Sequence, residues 1–532
     1  MLVGTKYAAA PPTGRYDAIV IGSGLAGLSA ASVLARAGKR VLVLERHYTA
    51  GGFTHSYRRR GYTWDVGVHY VGEVHKPGST LRRVFDTITD GQLQWAQMPD
   101  TYDRIVMPDA SYDFVAGASA FREELLRSFP SARGELDAYL RLLRANGRAV
   151  AAEFGPRFLP GPLDPVLGGV ARRATGSQFT RTTASVLGGV VSDPKLAGVL
   201  TGQWGDYGLP PGRSAFGMHA VVAQHYLGGA AFPVGGAWRI ADSIVPGIER
   251  AGGAVLVNAE VGQILVVRGR AIGVRMTNGD EILADHVISD AGLQNTYGRL
   301  LPEGAGDRVR RKAAALTPSV GHLGLTVGLK GTTAELGLQG TNLWVYPGYD
   351  HDANMRAYKA DPDAPFPLQY LSFPSAKDPQ WETANPGRST IDVISTVPYD
   401  RFAEWKGTPW RKRGAAYEDL KAGLSERLLA ELYRQVPGAR GRVDVAELST
   451  PLSTMEFNST PNGGLYGLEH SPDRFSQTWI SPRTPIKGLR LTGQDTLFCG
   501  VASAALSGVL TASAVLGPRS VPLLAEVFGR RR

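Results

Sequence analysis

At 532 residues the chain exceeds one ordinary hydrophobic core, so several domains or two interleaved ones are expected. Its 43% hydrophobic and 20% charged residues are ordinary globular values, and 66 glycines with 34 prolines fall short of a disordered composition. One cysteine, Cys499, excludes an internal disulfide framework and a thiolate cluster, while 58 Lys and Arg against 48 Asp and Glu leave a charge of +10 with no nucleic-acid-binding motif to use it.

Residues 1–15, with Pro11-Pro12 and no apolar run, read as a flexible lead-in without a signal peptide, which places the protein in the cytoplasm. Tyr16 to Ile21 is an apolar strand, and Gly22-Ser23-Gly24-Leu25-Ala26-Gly27 opens a helical stretch that runs to Gly38. Gly22 permits the tight turn, Gly24 lets backbone N–H groups approach a pyrophosphate at the positive helix end, and Gly27 lets helix and strand pack closely. Val41 to Leu44 forms the next strand and ends in Glu45, where a carboxylate can accept hydrogen bonds from ribose hydroxyls. The fold class is therefore α/β, with a Rossmann-like dinucleotide-binding domain. This much does not distinguish FAD from NAD. Arg58-Arg59-Arg60-Gly61 reads as a solvated hairpin tip, with contact to an anionic membrane surface as the alternative.

Farther along, Leu136, Tyr139, Leu140 and Leu143 repeat at helical spacing, as do Tyr417, Leu420, Leu424 and Leu428; both stripes read as core. Gly236-Ala237-Trp238 leads into a helical run to Ala251, followed by a strand from Ala254 to Asn258. Asn278-Gly279 marks a hairpin between Ala271–Met276 and Glu281–Ile288. Ser372–Asp378 reads as loop and Asp392–Tyr399 as strand. Near the end, Lys487 to Gly493 is a strand, Gly500 opens a helix, and the apolar stretch Val501 to Gly517 reads as a buried helix rather than a membrane span. Residues 521–532 read as a basic tail.

Glu45-Arg46-His47-Tyr48-Thr49-Ala50-Gly51-Gly52 resembles the glutathione-reductase-like and amine-oxidase-like FAD families, in which a second glycine pair follows the ribose carboxylate. The resemblance implies a non-covalent FAD site made by Gly22, Ser23, Gly24, Leu25, Ala26, Gly27, Glu45, Arg46, Gly51, Gly52, Phe53 and Thr54. It adds Val261 beside the adenine, Ala291 and Gly292 after the last strand, Gly493 and Asp495 toward the ribityl chain, and Gly500, Val501 and Ala502 at a helix N-terminus aimed at the isoalloxazine. It divides the chain into an FAD-binding domain from 16–85, 232–310 and 480–520, interleaved with an α+β substrate-binding domain from 86–231 and 311–479.

Trp64-Asp65-Val66-Gly67-Val68-His69-Tyr70-Val71-Gly72, Gly205-Asp206-Tyr207-Gly208-Leu209-Pro210-Pro211, Phe373-Pro374-Ser375-Ala376-Lys377-Asp378-Pro379 and Tyr466-Gly467-Leu468-Glu469 resemble the retinol saturase and phytoene desaturase branch, which also holds carotenoid isomerases. That resemblance implies hydride exchange at flavin N5 with a double bond of a long apolar polyene, most naturally saturation, with desaturation or isomerisation as alternatives. His69 and Tyr70 are the candidate proton donors, against the plainer reading of a histidine that hydrogen-bonds the cofactor or a backbone carbonyl; His219, a third candidate catalytic residue, could line the substrate tunnel or anchor a head group, against the plainer reading as a core histidine. Amine oxidation and a non-catalytic flavin- or lipid-binding role stay open. No metal and no nucleic-acid partner are expected. NAD(P)H or another electron donor, the oligomeric state and peripheral membrane contact are left open.

Overall fold

In a computed structural model that describes residues 1–158 and 178–529, the strands Tyr16–Ile21 and Val41–Leu44 lie side by side and parallel, Ala18 opposite Val41 and Ile21 opposite Leu44. Val41–Leu44 is buried throughout, and Tyr16–Ile21 nearly so, which is why both read as continuous apolar runs rather than alternating ones. Glu281–Ser289 continues the sheet on one side and Ala254–Val257 on the other, both parallel. Leu489–Leu491 pairs in parallel with the end of Glu281–Ser289, bringing the C-terminal segment back to this sheet. Val261–Val267, Arg270–Met276 and Glu281–Ser289 form an antiparallel flap whose last turn carries Asn278-Gly279.

Helix Leu25–Arg36 covers one face of this sheet, against Arg239–Arg250 and Val501–Leu516. Its small residues Ala26, Ser29 and Ala30, with Gly508 opposite, allow the close approach.

A second sheet of seven strands runs in the order Val443–Ser449, Gly321–Lys330, Arg388–Val397, Gln369–Ser372, Asn342–Val345, Thr101–Val106 and Ser111–Val115. It is antiparallel except between Asn342–Val345 and Thr101–Val106. A three-stranded sheet of Val71–Gly72, Ala230–Pro233 and Trp95–Gln97 stands beside it. Helices Arg133–Phe158 and Phe216–Tyr226 pack together, with Leu136, Tyr139, Leu140 and Leu143 buried as their spacing predicts. Of the second stripe, Tyr417, Leu424 and Leu428 are buried and Leu420 only partly.

Three expectations change. The lead-in is not loose: Thr5–Lys6 is an edge strand parallel to Ala254–Val257. Val3 is buried, its N–H donates to Thr49 Oγ1 at 3.0 Å, and its carbonyl accepts the Ala50 N–H at 3.0 Å. A sheet edge offers unpaired backbone groups, and two residues suffice to use them. The basic tail begins as a helix, Val521–Phe528, with Val527 fully buried and its carbonyl accepting Arg83 Nε at 2.8 Å; residues 530–532 lie outside the described residues. Within 372–378, Pro374–Lys377 is a helical turn, started by the proline at its first position.

Candidate active site

A cavity of about 980 Å³ runs from the carboxyl ends of the parallel strands to the face of the second sheet. Its first part is a cradle of backbone. Gly24 and Gly51 bridge in parallel, laying the two glycine turns against each other. Gly52 has φ +55°, and a Cβ there would stand 3.0 Å from the Gly24 Cα, so neither conformation nor space admits a side chain. A Cβ on Gly24 would come within 2.5 Å of Asp290 Oδ2. Helices Leu25–Arg36 and Val501–Leu516 both begin in this wall with glycine N-caps and no side-chain cap. Apart from the Gly27 N–H, which donates to Asp290, their first N–H groups are placed to meet an anion or an electron-rich ring.

Glu45 is the fixed carboxylate of the cradle. Its Oε2 accepts the Ser23 N–H at 2.9 Å and the Ser23 hydroxyl at 2.8 Å, and its Oε1 accepts the His47 N–H at 2.7 Å. Asp495 accepts the Leu293 N–H at 2.7 Å on one oxygen and the Leu468 N–H at 2.9 Å on the other, tying the C-terminal turn to two remote segments. Narrow glycine backbone, two uncapped helix ends and two anchored carboxylates fit a dinucleotide cofactor. Of the residues expected there, all but Ser23 and Gly27 line the cavity. Ser23 instead fixes Glu45, and the Gly27 N–H donates to Asp290 Oδ2 at 2.9 Å. Asp290 lines the cradle too, its carboxyl pushed up to about 7 by burial, with the charges of Glu45 and Asp495 adding to the shift.

The far wall is aromatic and acidic. Tyr70 and Tyr226 stack at 4.0 Å between centroids, and Trp344 lies 4.4 Å from Tyr370. The Tyr70 hydroxyl sits 3.0 Å from Asp103 Oδ2 and 3.1 Å from Asp206 Oδ2. Asp103 also accepts Gln203 Nε2 at 2.7 Å and Asn342 Nδ2 at 2.9 Å. Lys377 Nζ donates to Asn342 Oδ1, to Ser372 Oγ at 2.7 Å and to the His69 carbonyl at 3.0 Å. Burial brings that ammonium down to about 7.

His69 lines the cavity with its Nδ1 3.7 Å from Asp392 Oδ2. Burial, then the Lys377 charge, holds its imidazole down at about 3, while burial raises Asp392 to about 8; near neutrality both are uncharged. His219 is elsewhere. It does not line the cavity, and its ring nitrogens lie 3.0 Å from the Tyr139 hydroxyl and 3.2 Å from that of Tyr207. Both nitrogens are satisfied by buried phenols, so a core histidine is what the structure contains.

Sequence reasoning passed over Asp103, Asp206, Asp290, Asn342 and Lys377. Asp206 and Lys377 stand inside motifs already singled out, and Asp290 ends a strand at the cofactor side. Asp103 and Asn342 carry no local signal, since Asp103 shares its strand with Thr101 and Arg104 and Asn342 is a single polar residue at the start of another.

The fold and cradle define a flavin-dependent oxidoreductase. Residues 25–316 match the model of the flavin-containing amine oxidoreductase family. All-trans-retinol 13,14-reductase of Danio rerio is 37% identical over 97% of this chain and 88% of its own length. Prolycopene isomerase of Arabidopsis thaliana is 26% identical over 94% of this chain and 82% of its own. Among solved structures, wild-type putrescine oxidase bound to putrescine superposes with a TM-score of 0.64 at 17% identity, covering 95% of this chain and all of that one, a likeness of fold. The chain belongs to the flavin-containing amine oxidoreductase family, in its all-trans-retinol 13,14-reductase branch, and its cofactor is FAD.

Proposed function

We propose that the protein saturates one double bond of a long apolar polyene of the retinoid or carotenoid kind. The observation that carries this reading is the continuity of the cavity: one space joins the dinucleotide cradle to a wall of Tyr70, Tyr226, Trp344, Tyr370, Tyr466 and Phe498. FAD, when bound, supplies hydride exchange at N5. The aromatic wall holds a conjugated chain flat and excludes water, and burial of about 0.8 kcal/mol per CH₂ lets apolar contact alone bind it. We assign ribose binding to Glu45, the pyrophosphate to the turn Gly22–Gly27 and the start of the first helix, and the isoalloxazine to the turn Gly500–Ala502. His69 and Tyr70 orient the reacting bond: His69 is uncharged near neutrality, and the Tyr70 hydroxyl is engaged between two carboxyl groups.

The test is anaerobic mixing of dithionite-reduced protein with a polyene panel, followed by mass analysis. A gain of two hydrogens with a blue shift is expected, and no change with any member sinks the reading. A second reading, redox-neutral isomerisation, draws on the relation to prolycopene isomerase and predicts unchanged mass. Desaturation would remove two hydrogens, and peroxide released from amines would revive amine oxidation.

We further propose peripheral membrane contact through the C-terminal helix. Val501–Phe528 is long and apolar enough to cross a membrane by length and composition, and 39% of its most apolar window is buried in the protein. Val521 and Phe528 are 62% and 40% exposed, and Phe528 and Leu81 also line the cavity. Flotation with anionic liposomes at low salt should carry the protein up the gradient, and Val521→Ser with Phe528→Ser should leave it at the bottom.

A further inference from the structure

The Tyr70 hydroxyl has one proton and two carboxyl neighbours, Asp103 Oδ2 at 3.0 Å and Asp206 Oδ2 at 3.1 Å. A phenol can donate to one of them. The other short contact is a hydrogen bond only if that carboxyl brings a proton of its own. Were both carboxyls ionised, two like charges would share a single donor inside the protein, which is the arrangement that forces one of a pair to stay protonated.

The neighbours decide which one. Asp103 accepts Gln203 Nε2 and Asn342 Nδ2 besides Tyr70. The Asn342 amide cannot turn round, because its Oδ1 accepts from Lys377 Nζ. Three donors thus converge on Asp103 and oppose the rise that burial gives its carboxyl, which makes it the better placed of the two to carry the charge. Among the described residues the Asp206 side chain has one hydrogen-bond partner, Tyr70. Asp206 also lines the cavity, while Asp103 does not. Burial, followed by the Asp103 charge, moves its carboxyl well above the usual range. The turn Trp204–Asp206 is clamped: the Tyr466 hydroxyl donates to the Gly205 carbonyl at 2.8 Å, and Cys499 Sγ lies 3.4 Å from the Asp206 carbonyl.

We propose that Asp206 is the general acid of the site, a neutral carboxylic acid whose own O–H donates to the Tyr70 oxygen while Tyr70 donates to the Asp103 carboxylate. This rests on the polyene-saturation reading and names the proton source that reading requires. One alkene carbon takes hydride from reduced flavin. The other forms its C–H bond with the Asp206 proton as the O–H bond breaks, leaving a carboxylate that water reprotonates after product leaves. The two electrons come from whatever donor reduces the flavin, dithionite in the test of this proposal. Tyr70 is a positioning residue in this scheme, and Asp103 supplies the charge that keeps Asp206 protonated.

The experiment compares wild-type holoprotein with Asp206→Asn and Tyr70→Phe by infrared difference spectroscopy at neutral pH, and then by anaerobic mixing of the dithionite-reduced proteins with the polyene panel. The wild-type minus Asp206→Asn spectrum should show a protonated-carboxyl C=O band that shifts in D₂O. Tyr70→Phe should move that band by removing its acceptor, which a purely structural role of Tyr70 would not do. Flavin absorption and the rate of reduction by dithionite should match wild type in Asp206→Asn, while reoxidation by polyene should slow about 10²–10⁴-fold, the usual worth of a general acid. An active wild type with Asp206→Asn equally fast, or a difference spectrum without the band, overturns the proposal alone. Wild type inert to every polyene overturns the reading beneath it. If Asp206→Asn does not fold, band movement in Tyr70→Phe supports the proposal and an unmoved band rejects it.

Discussion

Glu45 shows how much one carboxylate does in the cradle. It holds the turn by accepting both Ser23 donors and the His47 N–H, all within 2.9 Å. Truncating it to alanine removes charge-assisted hydrogen bonds worth roughly 1.5–3 kcal/mol, so FAD affinity should fall by about one to two orders of magnitude. Fluorescence titration of the apoprotein measures this, and unchanged affinity would show that the turn holds without its anchor. His219 makes the opposite case. His219→Leu leaves the hydroxyls of Tyr139 and Tyr207 without their imidazole partner and should destabilise the fold by about 1–3 kcal/mol. Thermal unfolding should show the loss, while the rate per bound flavin stays at the wild-type value. A collapse of that rate would return His219 to the chemistry.

Among the elements, the strand Glu281–Ser289 matters for the carboxyl group it delivers just past its end. Asp290 accepts the Gly27 N–H and stands between Gly24 of the first glycine turn and Gly493 of the C-terminal turn. Its carboxyl is pushed up to about 7, chiefly by burial, with Glu45 and Asp495 adding to the shift and the Gly27 N–H opposing it. A raised value in the fold means protonation favours the folded state. That stabilisation is complete below the ordinary carboxylate value near 4 and is lost as pH rises through about 7. The same ionisation places a negative charge beside the turn assigned to the pyrophosphate. FAD affinity should therefore weaken as pH climbs through 7, and Asp290→Asn should flatten the profile. A wild-type affinity independent of pH between 6 and 8 would contradict the assignment.

The whole molecule turns on two sheets facing one cavity. Helix Phe216–Tyr226 contributes Val222 to its wall, at a position that is nearly closed to solvent. Val222→Trp should obstruct the space without touching the cradle. Turnover of long polyenes should drop at least tenfold while bound FAD per chain stays the same; equal loss of flavin would mean that the substitution disrupts the fold instead. Parts of this architecture are plain from local sequence. Strand, glycine turn, helix and acid at 16–45 are legible because each residue's steric role is fixed by neighbours within a few positions. The Asn278-Gly279 hairpin and the stripe at Leu136–Leu143 are legible for the same reason. The ends are less so: Thr5–Lys6 is a strand only because Ala254–Val257 offers an edge, and Val521–Phe528 is docked only because Arg83 bonds the Val527 carbonyl and Val527 is buried in the core cluster that holds Val84 and Phe85.

The sequence by itself determined the dinucleotide fold, because glycines at turns and a carboxylate at a strand end act through short-range backbone geometry; FAD and the family came from the resemblance its longer motifs carry. Tertiary structure alone decided the acid pair. Tyr70, Asp103, Asp206, Asn342 and Lys377 come from five separate segments, and their protonation states exist only once burial removes water and each donor faces one acceptor. It also decided that His219 belongs to the core, since nothing in its neighbourhood along the chain reveals that Tyr139 and Tyr207 meet both sides of its ring.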